Sequence, residues 1–323
     1  MIRMTIIMAL FVMAGQFAFG QIGGLEYKGR GLELLNEGKT DSAMVYLNQA
    51  VLKGVTDGEV LGGLALAYIQ KGDAERALEK AVEARKDKQY PSADAYLAGV
   101  LAHDAMGNVS QRDRWLDQGL KAFPADYLLL YHAGRIIIPF DSEEGERLLL
   151  RSIHAYPAFG SAHILLGENM YRRGENLKAA LPLMYYLLLH QDALNSGDVV
   201  ALIERLYDSW SISKESVSKV SKASKGFTVD YVPTAYTGGP DDKGEWFVAE
   251  SLALMQSVQT ASVSSSDALW IFYSDFYGQL SRLGFDVPMA HHIAYSRYPA
   301  DAMEWINENA QLYQMLGDWL MVL

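Results

Sequence analysis

A phrase of small, apolar and turn-forming residues returns every 34 positions through the first part of the chain. Gly31, Leu34, Gly38, Ala43, Leu47 and Ala50 make one copy, and Ala65, Tyr68, Gly72, Ala77, Ala81 and Ala84 make the next. A looser third copy holds Tyr96, Gly99, Gly107, Leu116 and Pro124, a fourth runs through Ala133, Leu149, Ser152 and Pro157, and a fifth is clear again at Leu166, Gly167, Gly174, Ala179 and Leu183. A fixed period of this length restricts the fold severely. Each unit is one supersecondary element that cannot bury its apolar face alone, so neighbours must stack into a shared core.

Within a unit the residues read as two amphipathic helices joined by a tight turn. Gly38, Gly72 and Gly174 sit where the chain must reverse. Gly31, Ala65, Gly99, Ala133 and Gly167 on the first helix, with Ala43, Ala77 and Ala179 on the second, let paired helices approach closely. Phe123-Pro124 and Tyr156-Pro157 end second helices, because proline cannot continue the hydrogen-bond ladder. The third copy departs at Arg112, the fourth has Gly145, and Pro182 inside a second helix predicts a kink or a shifted helix start at up to ~3 kcal/mol. On these residues the region 24–191 resembles a tetratricopeptide repeat array of about five hairpins, which implies an all-α superhelix.

The remaining segments carry other signals. Arg3, an apolar run over residues 4–15 and the small residues Ala18 and Gly20 have the order of a secretory signal, with cleavage expected before Gln21. The apolar run is shorter than the roughly 20 residues that span a bilayer. Export is therefore expected, to a bacterial periplasm, cell envelope or the outside. Cysteine is absent, which removes disulfides, thiolate metal sites and Cys nucleophiles, and leaves stability to packing.

After residue 192 the character changes. A helix and a Ser- and Lys-rich linker are expected over 192–225, with the Ser and Lys concentrated from Asp208 to Lys225, and from Gly226 onward three basic residues face twelve acidic ones. The alternation Phe227, Val229, Tyr231 suggests one short strand before Pro233, in an otherwise mainly helical region, 226–323. Helices are expected over Glu245 to Val258, Asp267 to Leu283 behind a Ser264-Ser265-Ser266 cap, Pro288 to Tyr298, and Ala300 to Leu316. Tyr298-Pro299-Ala300-Asp301 echoes Phe123-Pro124-Ala125-Asp126, so the tail suggests a degenerate hairpin and a capping helix.

No motif points to catalysis. His291 and His292 are adjacent, which on a helix aims them about 100° apart and prevents a shared ion. His103, His132 and His163 fall on packing faces of first helices, and Glu204 with Arg205 reads as helix surface charge. Asp241, Asp242 and Glu245 lack the alternating oxygens of a calcium loop. Neither a metal nor a cofactor is expected, and the net charge of −11 makes nucleic acid an unsuitable partner.

The resemblance implies a partner-binding groove lined by first helices. Aligning the units places Leu66, Ile69, Leu97, Leu101, Asp104, Tyr127, Leu130, Ile137, Ile164, Glu168, Tyr171 and Arg172 along it. In the branch of the family that captures chaperone tails, Lys and Asn clamp a terminal carboxylate. Here Lys28 matches one, but Leu32 and Leu66 stand where Asn would be. The expectation is a scaffold binding a helix, an extended apolar segment or its own tail. The tail aromatics Trp246, Phe247, Trp270, Phe272, Tyr273, Phe276, Tyr277, Trp305 and Trp319 are expected in the core, and a glycan reader built on some of them, or an enzyme without a motif, are the alternatives.

Overall fold

A computed structural model describes residues 23–213, 227–228, 233–239, 242–260, 262–263 and 267–322. The fold is all-α. Helix α1 covers residues 23–36. It is followed by α2 (Thr40–Leu52), α3 (Gly58–Gln70), α4 (Ala74–Ala84), α5 (Ala93–Ala105) and α6 (Val109–Ala122). Next come α7 (Tyr127–Ile137), α8 (Ser142–Ala155), α9 (Gly160–Arg172), α10 (Asn176–Leu189) and α11 (Ser196–Ser213). The tail holds α12 (Lys243–Thr260), α13 (Ala268–Arg282), α14 (Asp286–Ala294), α15 (Pro299–Glu308) and α16 (Ala310–Leu320).

The repeat phrase is spelled out in the backbone. Gly38, Gly72, Gly107 and Gly174 adopt φ of +72°, +76°, +71° and +73°, the left-handed region that ends a helix at little cost only for glycine. Each turn closes with the same two hydrogen bonds. At Gly72 its N–H donates to Ile69 and that of Asp73 to Tyr68; at Gly174 they run to Tyr171 and from Glu175 to Met170. The small first-helix residues mark close crossings. A Cβ on Gly31 would lie 2.7 Å from Leu47, one on Gly99 2.1 Å from Trp115, and one on Gly167 2.5 Å from Leu183. Asp57, Asp73, Ser92 and Asp141 cap α3, α4, α5 and α8 by accepting a backbone N–H three residues on.

The chain divides into two compact units between His132 and Ala133, inside α7, whereas its composition changes near residue 192. In the first unit, Leu47, Ala50, Val55, Val60 and Leu64 form one core cluster, and Leu34, Leu35, Ala43 and Ala67 another. In the second unit, α10 is buried continuously from Ala179 to Leu188. A helix apolar on all sides must be covered on all sides. α9 and α11 cover part of it, and the tail covers more. Tyr277 Oη donates to the Leu181 carbonyl at 2.6 Å, and His292 Nε2 lies 3.1 Å from that of Leu188. α10 begins at Asn176 and continues through Pro182, so the helix start is not displaced.

The tail differs in detail from what its sequence suggests. The extended run over Phe227, Val229 and Tyr231 is not supported: Phe227–Thr228 alone pairs antiparallel with Ser262–Val263, and Val229 and Tyr231 lie outside the described residues. The serines proposed as a cap also lie outside them, and Asp267 caps α13 instead, accepting from Leu269 N–H at 3.0 Å. Gly284, at φ +75°, turns α13 into α14 with the same bond pattern as the repeat glycines. The single helix expected over Ala300 to Leu316 is two, broken at Asn309, whose carbonyl accepts the Tyr313 N–H as α16 begins. Asparagine competes for backbone partners and so favours helix ends.

Candidate partner-binding surface

In the first unit, Leu66, Ile69 and Leu101 are half-buried, partly in the core and partly in water. Leu66 packs against Leu34, Leu35, Ala43 and Ala67. Asp104 and Arg112 form an ion pair at 2.9 Å beside them, which gives the residue at the irregular position of the third copy a role. Tyr127 is half-buried. Leu97 and Leu130 are only 4% and 1% exposed, and so are core residues instead of groove liners. The alignment fixes a position in the repeat, but the helix rotation that buries a side chain is set by what packs on it. Lys28 reaches Asp57 at 2.8 Å and also Glu59. Its ammonium is thus engaged within the chain, and hydrogen bonds and charge from these two carboxylates raise its pKa against the lowering effect of burial.

In the second unit, Ile137 and Ile164 are half-buried, while Glu168, Tyr171 and Arg172 are exposed. Among the described residues, the tail meets the fifth hairpin along α10 and at His163 near the start of α9, whose Nδ1 lies 2.7 Å from Tyr273 Oη. His163 is fully buried, with Nε2 2.8 Å from the Pro157 carbonyl and its ring stacked on Tyr185 at 4.1 Å. Desolvation drives its pKa down to about 3.

No protein-family model matches the chain, and neither does any curated protein. Among solved structures, the APC/C hetero-tetramer Cut9–Hcn1 is similar over 62% of this chain, with a TM-score of 0.50 and 17% identity. The repeat region has the tetratricopeptide fold. The similarity covers 38% of that other chain, so this protein spans well under half of its length. Pseudomonas aeruginosa pilF aligns over 63% of this chain and 93% of its own, at TM-score 0.49 and 14% identity. The C-terminal part of a TPR repeat-containing protein from Cytophaga hutchinsonii aligns over 86% and 98%, at TM-score 0.43 and 10% identity.

Beyond the tetratricopeptide hairpins, the tail aromatics divide between core positions and partly buried ones such as Trp246, Trp305 and Trp319. Phe247, Trp270, Tyr273 and Tyr277 are fully buried, and Phe272 meets Tyr273 edge-on at 4.9 Å and 83°. That is the geometry of packed rings, not of a flat platform. Glu204, expected on the surface, is 3% exposed and joins three elements: Lys243 at 2.9 Å, Arg297 at 3.1 Å and the Tyr298 hydroxyl. These partners lie far away in sequence, so no local pattern marks the site. His291 and His292 diverge as their adjacency requires, one stacking on Trp305 and the other meeting Tyr313 Oη at 2.8 Å. Among the described residues, no three His, Asp or Glu side chains gather in a metal-binding arrangement, and no helix is long and apolar enough to cross a membrane.

Proposed function

We propose that this protein is a non-catalytic scaffold that holds a protein or peptide partner on the first-helix faces of its tetratricopeptide hairpins. The observation that carries the reading is the set of half-exposed aliphatic side chains Leu66, Ile69 and Leu101 on successive first helices, beside the Asp104–Arg112 pair. Aliphatic carbon left in water on a repeat surface gains free energy when covered, at about 25 cal/mol per Å². A charged pair at its margin fixes register more than it adds affinity. Such a surface suits the apolar face of a helix or an extended apolar segment. It does not suit a terminal carboxylate, since Lys28 already serves Asp57 and Glu59.

Export belongs to the same reading and is supported by Arg3, the apolar run and Ala18-Phe19-Gly20. Intact-mass measurement of exported protein that begins at Gln21 supports it, and a retained Met1 rejects it. The scaffold itself is tested with Ile69→Asp combined with Leu101→Asp. Both side chains are partly exposed, so helix content by circular dichroism should persist while partner recovery by cross-linking falls at least tenfold. Unchanged recovery removes the first-helix face as the binding surface.

A further inference from the structure

The seam between the fifth hairpin and the tail is fastened twice by the same device. At one point His163 of α9 sets Nε2 2.8 Å from the Pro157 carbonyl and Nδ1 2.7 Å from Tyr273 Oη of α13. At the other, His292 of α14 sets Nε2 3.1 Å from the Leu188 carbonyl of α10 and Nδ1 2.8 Å from Tyr313 Oη of α16. A carbonyl oxygen only accepts, so each Nε2 carries the hydrogen and each Nδ1 offers the lone pair to which a tyrosine hydroxyl donates. Both bridges are built for the neutral imidazole.

A second proton breaks this pattern, because it turns Nδ1 from acceptor into donor and forces the hydroxyl to send its hydrogen elsewhere. Tyr273 is fully buried, and among the described residues its hydroxyl has no other hydrogen-bond partner. Little charge is at hand to balance an imidazolium. The His163 ring meets Tyr185 of α10, stacked at 4.1 Å, and Phe272 and Tyr273 of α13. His190, which packs on Gly160 at the start of α9, adds only like charge when protonated. The titratable groups that face His292 are Tyr313 and the carboxylate of Asp192. Burial takes the His163 pKa down to about 3, and it lowers that of His292 against the opposing effects of the Leu188 carbonyl and Asp192. Opening the seam returns both rings to water, where an imidazole takes a proton near pH 6.5. The closed form is thus complete above that pH and loses ground as pH falls.

We propose that this seam is an acid-sensitive latch: below about pH 6, proton uptake by His163 and His292 releases α13, α14 and α16 from the fifth hairpin and bares the apolar face of α10, while the first unit stays folded. The face so exposed includes Leu181, Tyr185 and Leu188, all buried in the closed form.

The test is hydrogen exchange of the whole protein at pH 7.5 and 5, corrected for its intrinsic pH dependence. Protection of α13 and α14 should fall roughly thirtyfold or more, with that of α2 to α4 held within about threefold. His163→Gln combined with His292→Gln removes both titrating rings, and its tail should keep protection within about threefold over the same range. Should that variant fail to fold, imidazole nitrogen shifts of the parent protein decide the matter. Both rings should report the neutral Nε2–H form at pH 7.5 and become imidazolium only as α13 and α14 lose protection. Equal losses in the first unit, an unchanged acid response in the folded double variant, or imidazolium at both rings while the tail stays protected overturns the proposal.

Discussion

At the scale of single residues, the fold depends on where side chains are absent. Ala77 is completely buried in the second hairpin, at the position where the repeat keeps a small residue. Ala77→Leu inserts three heavy atoms into a close helix crossing and should destabilise by roughly 1 to 3 kcal/mol, read from denaturant midpoints. Glu79→Leu on the exposed side of the same helix is the control, and equal midpoints would remove the close-packing argument. These small residues were legible in the sequence because a 34-residue period repeats them. Glu204 was not legible. The pair Glu204-Arg205 looks like helix surface, and its burial follows from Lys243, Arg297 and Tyr298, which only the tertiary fold brings to it.

At the scale of elements, the question is why the tail's turn escaped a period that exposed the others. In the first, second and fifth copies, a small residue stands seven positions before the turn glycine: Gly31 and Gly38, Ala65 and Gly72, Gly167 and Gly174. Seven positions before Gly284 stands Tyr277, fully buried, so the turn survives while the small-residue signature is replaced by a ring. That ring ties α13 to α10 through Tyr277 Oη and the Leu181 carbonyl. Tyr277→Phe keeps the ring and removes the hydroxyl. It should cost about 1 kcal/mol, because the net worth of one buried neutral hydrogen bond is of that order. The loss should appear as faster hydrogen exchange in both α10 and α13. Acceleration confined to α13 would mean that the bond does not couple the two helices.

At the scale of the whole molecule, the two units carry buried groups that respond to acid in opposite senses. In the second unit, His163 has its pKa lowered to about 3, by desolvation first and further by the nearby His190, against the raising effect of its hydrogen bond with the Pro157 carbonyl. The unfolded chain takes up this proton below pH 6.5 and the folded one does not, so stability present above 6.5 is lost as pH falls toward 3. By pH 5 the loss is about 2 kcal/mol. In the first unit, Asp94 in the first turn of α5 has its pKa raised to about 6, by burial first and then by the negative charges of Asp126 and Glu59. The folded state here holds the proton more tightly, so the contribution is complete below about pH 4 and is lost as pH rises through 6. Asp94→Asn should therefore stabilise α5 at pH 7.5 by about 1 to 3 kcal/mol and give no gain at pH 4. His163→Gln should flatten the pH dependence of α9, where the parent protein loses roughly thirtyfold in exchange protection between pH 7.5 and 5. Hydrogen exchange corrected for its intrinsic pH dependence and read separately for α5 and α9 distinguishes the two, and pH profiles that run parallel between each variant and its parent would reject both assignments.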